Sequence, residues 1–292
     1  MDEKPPNELK YLTAFRDETA LLNWVRRVYP VQSLEFFDGG HEQSYIWLVR
    51  TKTGVTAVLK MHKAHGSARR EVDAYRFVER NKLPGTPRLL RQCASDSRIL
   101  LLSHERGESD QLNEDTVFRA GQFLGSLHRA PFKDNDSVPL VEAFELRFEA
   151  LRGRIKDPDL HRLLVLFQSK LLKFELGQRV FCHRDFRPEN WLSDPSNHRL
   201  TVLDFGHCRP GLWLADLIHL RVMTLEQPQL WASFLAGYDR DLTETEYNLL
   251  WALIGLYGVA TCLRTDQGPD AVLSRGQNYV DLSHRVLSAS RP

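Results

Sequence analysis

A change in hydrophobic period near residue 104 constrains this chain more than any other feature. Before it, the short β-branched and aromatic runs VQSLEFF, YIWLVRT and VTAVLKM alternate with the glycine-bearing turns DGGHEQS and KTG. Runs bounded in this way read as strands, and three antiparallel ones are the natural arrangement. SARREVDAYRFVERN then has helical period through Val72, Tyr75, Phe77 and Val78, and TPRLLRQCA and SRILLLSHE resume strand-like runs. After His104 the apolar residues recur at helical spacing, as in Val117, Ala120, Gly121, Leu124, Leu127 and His128. The expected class is α+β. Residues 1–104 should form a five-stranded antiparallel sheet with one main helix, preceded by a packing helix within Asp17–Val28. Residues 105–292 should form a mostly helical lobe, interrupted once between Val180 and Phe205 by VFCHRDF, NWLSD and RLTVLDFG. Short strands joined by polar loops within a helical framework are where functional groups are often presented.

Composition narrows the possible functions. The 292 residues are 42% hydrophobic and 26% charged, ordinary values for a globular chain, and the net charge of +1 excludes a grossly basic nucleic-acid binder. From Arg50 to Arg91 eleven Lys/Arg stand against three Asp/Glu. No aromatic-rich RNA motif accompanies that bias, so it reads as a solvated face. Four cysteines without a C-x-x-C pair argue against a disulfide scaffold or a zinc site. MDEKPPNELKYL lacks the basic start and apolar run of a secretory signal, and Leu249–Leu263 is shorter than the ~20 residues of a membrane span, so the expectation is a cytoplasmic protein with no membrane partner. Asp239, Asp241, Glu244 and Glu246 could meet an amine, but acidic residues at a helix start are better read as capping.

The chemistry is concentrated in His183-Arg184-Asp185-Phe186-Arg187-Pro188-Glu189-Asn190, followed 14 residues after Asn190 by Asp204-Phe205-Gly206. One loop offers a carboxylate and, five positions on, a carboxamide; a second carboxylate ends the next strand. Phosphoryl transfer needs such a set: a base that orients and deprotonates a hydroxyl, and oxygen ligands that hold magnesium on nucleotide phosphates. His183 reads as a residue that fixes this loop, because a hydroxyl nucleophile already has Asp185.

These residues match the H-x-D-x-x-x-x-N and D-F-G pattern of the protein-kinase-like fold. Lys60 in AVLKMH resembles the lysine that pairs with the nucleotide phosphates, and Glu71, eleven residues on, its ion-pair partner, with Asp73 and Glu79 as competitors. Gly39 and Gly40 occupy the first hairpin, where that fold places a phosphate-covering loop. The chain more closely resembles the aminoglycoside phosphotransferase and choline kinase-like family of small-molecule kinases, from about residue 33 onward. REVDAYRFV is similar to that family's lysine-partner helix and GQFLGSLHRA to its helix ending in a Leu-His pair. Asp216 in LADLI follows Asp204 by only 12 residues, too few for a protein-kinase activation segment. HRDFRPEN is locally nearer a protein-kinase loop, with Arg187 where those enzymes carry a lysine close to the γ-phosphate.

The resemblance implies a bilobal enzyme using ATP or GTP and Mg2+ to phosphorylate a hydroxyl of a small molecule such as an aminoglycoside-like antibiotic, amino alcohol or sugar. Asp185 and Arg187 would be catalytic, and Asn190 and Asp204 would bind the metal. Lys60, Glu71, Gly39 and Gly40 would serve the phosphates, and Ser103 and Glu105, in the Ser103–Gly107 connector, the base. The rival readings are a protein or RNA kinase and a catalytically silent nucleotide-binding regulator on the same fold.

Overall fold

The computed structural model describes residues 18–37, 44–109, 112–134, 138–173, 176–263 and 270–289. In chain order the elements begin α1 (Glu18–Val28), β1 (Ser33–Phe37), β2 (Ser44–Thr51), β3 (Gly54–His62), α2 (His65–Arg80), β4 (Leu89–Gln92) and β5 (Ile99–Ser103). There follow α3 (Glu114–Arg129), α4 (Leu140–Arg152), α5 (Pro158–Leu171), and the short strands β6 (Val180–Cys182), β7 (Trp191–Asp194), β8 (Arg199–Val202) and β9 (Arg209–Gly211). The chain closes with α6 (Ile218–Met223), α7 (Pro228–Tyr238), α8 (Glu244–Cys262) and α9 (Asp270–Ala289). Two compact units result, Met1–Gln111 with Glu189–Cys208, and Leu112–Pro188 with Arg209–Pro292. The sequence division after residue 104 thus differs from the observed one. Pairing across the chain explains this: Glu108 and Ser193 exchange two backbone hydrogen bonds of 2.9 Å, and the Val202 N–H reaches the Gly85 carbonyl at 2.8 Å.

In the first unit β1 to β5 form the expected antiparallel sheet, in the order β1-β2-β3-β5-β4. Strand alternation sorts β3 by face. Ala57, Leu59 and Met61 join Leu21, Trp24 and Val25 of α1 in one apolar cluster with Trp47, Val49, Ile99 and Leu101. The leading helix is therefore a packing helix, as its spacing suggests. Lys60 and His62 occupy the opposite face, toward α2. On α2, Ala68, Glu71, Val72, Tyr75 and Val78 are buried, while Arg69, Asp73 and Arg76 point outward as an exposed charge group. The β7–β8 hairpin completes this unit.

The second unit is helical apart from the β6–β9 pair. Helix α8 is buried on nearly every side, the behaviour of a helix that is apolar all round. Among the described residues no helix is long and apolar enough to cross a membrane. Thr243 and Glu246 form a reciprocal capping box at its start, so Glu246 of the acidic run is a capping residue, as the sequence suggests. Helices α3 and α7 meet at Gly121 and Gly237, where a Cβ would overlap the backbone carbonyls of Phe234 and Phe118 respectively. The obstacle is main chain, so the helices themselves must move apart. Gly237→Ala is expected to lower the melting midpoint by several degrees, because overpacking costs about 1–3 kcal/mol and outweighs the gain in helix propensity of about 1 kcal/mol. Gly153→Ala, whose Cβ would meet only the Glu149 carbonyl at 3.7 Å, should leave the midpoint unchanged or raise it. Equal midpoints for the two variants would show that the crossing is not tight.

Candidate active site

In the first unit the site is built on a buried lysine. Alternation on β3 turns Lys60 toward α2, where its Nζ lies 3.2 Å from Glu71 Oε1, 2.9 Å from Glu71 Oε2 and 2.8 Å from Asp204 Oδ1. Lys60 is 6% exposed and Glu71 0%. Burial disfavours the Lys60 charge, but Glu71 and Asp204 outweigh it and leave its pKa raised. Burial likewise pushes the Glu71 carboxyl up, but Lys60 and His62 hold it below the ordinary range. Of the three acidic residues on α2, Glu71 alone takes the lysine; Asp73 lies near Arg69 and Arg76 at the surface. Glu71 and Tyr75, four residues apart, share one side of α2, and the Tyr75 hydroxyl donates to Glu71 Oε1 at 3.2 Å.

The β7–β8 hairpin brings Asn190 and Asp204 to one end. Trp191 pairs with Val202, and the Leu203 N–H donates to the Asn190 carbonyl at 2.8 Å, so the residues flanking the hairpin stay together. Asp204 has φ 57° and ψ 71°, left-handed values that aspartate tolerates better than most side chains. Two contacts from α2 hold this turn: Arg70 Nε donates to the Gly206 carbonyl at 2.9 Å, and the Tyr75 ring lies 5.3 Å from that of Phe205. In the connector after β5, the Ser103 hydroxyl accepts from the Arg88 N–H and donates to Glu105 Oε1 at 2.7 Å. The N–H groups of Ser103 and His104 are committed to Arg88 and Thr56. Gly39 and Gly40 lie outside the described residues.

In the second unit β6 leads into His183-Arg184-Asp185, and the buried Asp216 holds this loop by its backbone. Its carboxylate accepts from the N–H of His183 at 2.7 Å and of Arg184 at 2.6 Å, and it lies 3.0 Å from His128 Nε2. The other ring nitrogen, Nδ1, lies 2.8 Å from the Tyr238 hydroxyl, so His128 bridges Asp216 and Tyr238. This gives the Leu-His pair at the end of α3 its physical role. Burial pushes Asp216 up, but the His128 bond and the charges of His128 and His183 leave it lowered. Cys182 completes a buried trio with His128 and Asp216 whose ligand atoms lie within 4.8 Å of one another. Burial and the Asp216 charge push the Cys182 thiol well up, so it stays protonated, and its Sγ donates to the Leu212 carbonyl at 3.5 Å.

Asp185 follows Arg184, whose φ of 71° is again left-handed. Arg187 Nε lies 3.3 Å and His219 Nε2 3.8 Å from Asp185 Oδ1, and the other nitrogen of His219 is 3.2 Å from the Tyr279 hydroxyl. The His183 ring is buried and sits edge-on to Phe186 at 5.8 Å. Sequence reasoning missed His62, Arg70, His219 and Tyr279. For His62 a signal was present, because two residues beyond Lys60 on a strand is the same face; for the pairing of His219 with Tyr279, 60 residues apart, there was none.

The lowered carboxyls fix the sign of the pH dependence. Glu71 and Asp216 ionise more readily in the folded chain than in the unfolded one, where such groups titrate near pH ~4. Their contribution to stability is complete above that unfolded value and is lost as pH falls through the lower folded values. The melting midpoint should therefore hold down to about pH 5 and drop below about pH 4, with a shallower acid limb in Glu71→Gln. An unchanged acid limb in that variant would remove Glu71 from the account.

The sequence profile of the phosphotransferase enzyme family matches residues 33–249. Comparison with curated protein sequences finds no match. Among solved structures, the gentamicin complex of APH(2″)-IIa superposes with a TM-score of 0.67 at 17% identity, over 92% of this chain and 97% of the other. The choline kinase LicA from Streptococcus pneumoniae gives 0.68 at 16% identity, over 93% and 99%. Spectinomycin phosphotransferase APH(9)-Ia, bound to ADP and spectinomycin, gives 0.64 at 14% identity, over 94% of both chains. At these identities the likeness is one of fold.

Proposed function

Because the chain belongs to the phosphotransferase enzyme family, we propose that it moves the γ-phosphoryl group of ATP or GTP to a hydroxyl of a small molecule. The observation that carries the reading is the buried Lys60, paired at once with Glu71 and Asp204. Two buried charges with a third, part-exposed carboxylate beside them carry a desolvation cost that a purely structural core would avoid. Asn190 and Asp204 supply the hard oxygen donors that suit Mg2+, and they flank one hairpin. When bound, the ion supplies charge neutralisation on the phosphates.

The side chains divide the remaining work. Lys60, held by Glu71, fixes the phosphates. Glu105 to Gly107 present backbone to the base, the N–H groups of Ser103 and His104 being already engaged. Asp185, on a loop braced through Asp216, orients the acceptor hydroxyl and takes its proton as the oxygen attacks the γ-phosphorus. Arg187 steadies Asp185 and lends positive charge to the transferring group. A supply of nucleoside triphosphate places this activity in the cytoplasm.

The presence of the whole set, Lys60, Glu71, Asp185, Asn190 and Asp204, favours an enzyme over a silent nucleotide-binding regulator. A folded-protein acceptor is disfavoured by the interval from Asp204 to Asp216. Two short 3₁₀ turns and β9 occupy nearly all of it, leaving no extended segment on which a polypeptide could lie. The test is release of ADP or GDP by the purified protein with Mg2+ and separate panels of amine-rich antibiotics, amino alcohols, neutral sugars and anionic hydroxy compounds. Consumption that depends on a small acceptor and yields its phosphate ester supports the reading; transfer only to proteins or RNA sinks it.

A further inference from the structure

Glu71 has more partners than a lysine clamp needs. Besides Lys60, which lies within reach of both its oxygens, it receives the Tyr75 hydroxyl on Oε1, and His62 Nε2 lies 2.5 Å from Oε2. His62 is 2% exposed. It ends β3, its N–H donates to the Arg98 carbonyl at 3.0 Å, and strand alternation puts its ring on the same face as Lys60. A carboxylate with no access to water is oriented by whatever donors reach it. If Lys60 were the one donor, Glu71 could swing with it, and the ammonium would have no fixed point of reference when phosphate oxygens compete for it.

We propose that His62 is a positioning residue for nucleotide binding: with Tyr75 it fixes the Glu71 carboxylate independently of Lys60, so that Glu71 aims the lysine at the phosphates. This rests on the kinase reading above. His62 touches neither nucleotide nor acceptor in this scheme. Its influence passes through Glu71 and Lys60 and is confined to the phosphate part of the ligand.

The distinguishing experiment is calorimetric binding of Mg·ATP, Mg·GTP and adenosine to the full chain and to two polar variants of similar size. In His62→Gln the side-chain amide nitrogen reaches roughly where Nε2 stands. In His62→Asn it falls short. His62→Asn should weaken Mg·ATP by about 5- to 10-fold, the effect expected for losing one polar contact of ordinary strength, and leave adenosine unchanged. His62→Gln should restore the triphosphate affinity to within about 3-fold of wild type. A loss shared equally by adenosine and Mg·ATP would mark a packing defect and overturn the proposal, as would wild-type Mg·ATP affinity in His62→Asn. Tyr75→Phe, which removes the other donor, should act in the same direction, and if both histidine variants misfold, an unchanged Mg·ATP affinity there overturns the idea. A wild-type chain that binds neither triphosphate refutes the kinase reading itself, whereas a wild type that binds and variants that do not discriminate refute only the role of His62.

Discussion

Asp185→Asn should cut phosphoryl transfer by about 10²- to 10⁴-fold while leaving the melting midpoint and Mg·nucleotide affinity close to wild type. The range is that expected for removing a positioned general base. The substitution preserves shape, and the loop does not depend on this side chain for its anchor: Asp216 holds it through the backbone N–H groups of His183 and Arg184. What changes is the ability to accept a proton, since a carboxamide cannot take one from the acceptor hydroxyl near neutral pH. Arg187 and His219 stay beside the new amide, so electrostatic effects on the γ-phosphate are largely retained. Turnover within a few-fold of wild type would remove Asp185 from the chemistry. A parallel loss of nucleotide binding would reassign it to ligand positioning.

Asp204→Ala is expected to lower turnover by about 10²- to 10³-fold or more, because it removes the oxygen ligand proposed for Mg2+ and one of the two carboxylates that hold Lys60. Alanine is a blunt probe here, since the φ of 57° adds backbone strain to the loss of charge. Asp204→Asn tolerates that conformation and separates the effects. Its fold should be intact, Lys60 should keep Glu71, and the Mg2+ concentration for half-maximal activity should rise by about tenfold or more, one unit of charge having left the site. An unchanged magnesium requirement in Asp204→Asn, or full activity in a chelator, would contradict the assignment.

Much of this was legible in the sequence. The change from strand runs to helical period near His104 announced a five-stranded sheet followed by helices. The His183–Asn190 and Asp204–Gly206 motifs named the residues around which the two clusters form. Lys60 and Glu71 were paired by the family resemblance, which singled out Glu71 from Asp73 and Glu79 on the same helix. Local periodicity carries the division into strands and helices because each residue's face follows from its neighbours a few positions away.

Other features depend on segments far apart in the chain, and only the tertiary structure decided them. The hairpin of residues 189–208 belongs with the first unit because Ser193 pairs with Glu108 and Val202 bonds Gly85, contacts that no local period encodes. Arg70 reaching the Gly206 carbonyl, His219 standing between Asp185 and Tyr279, and the bare crossing of Gly121 and Gly237 likewise arise where distant elements dock. The amino-acid pattern determined which face each side chain presents. Close packing determined which faces meet, and with it the donors and charges that surround each functional carboxylate.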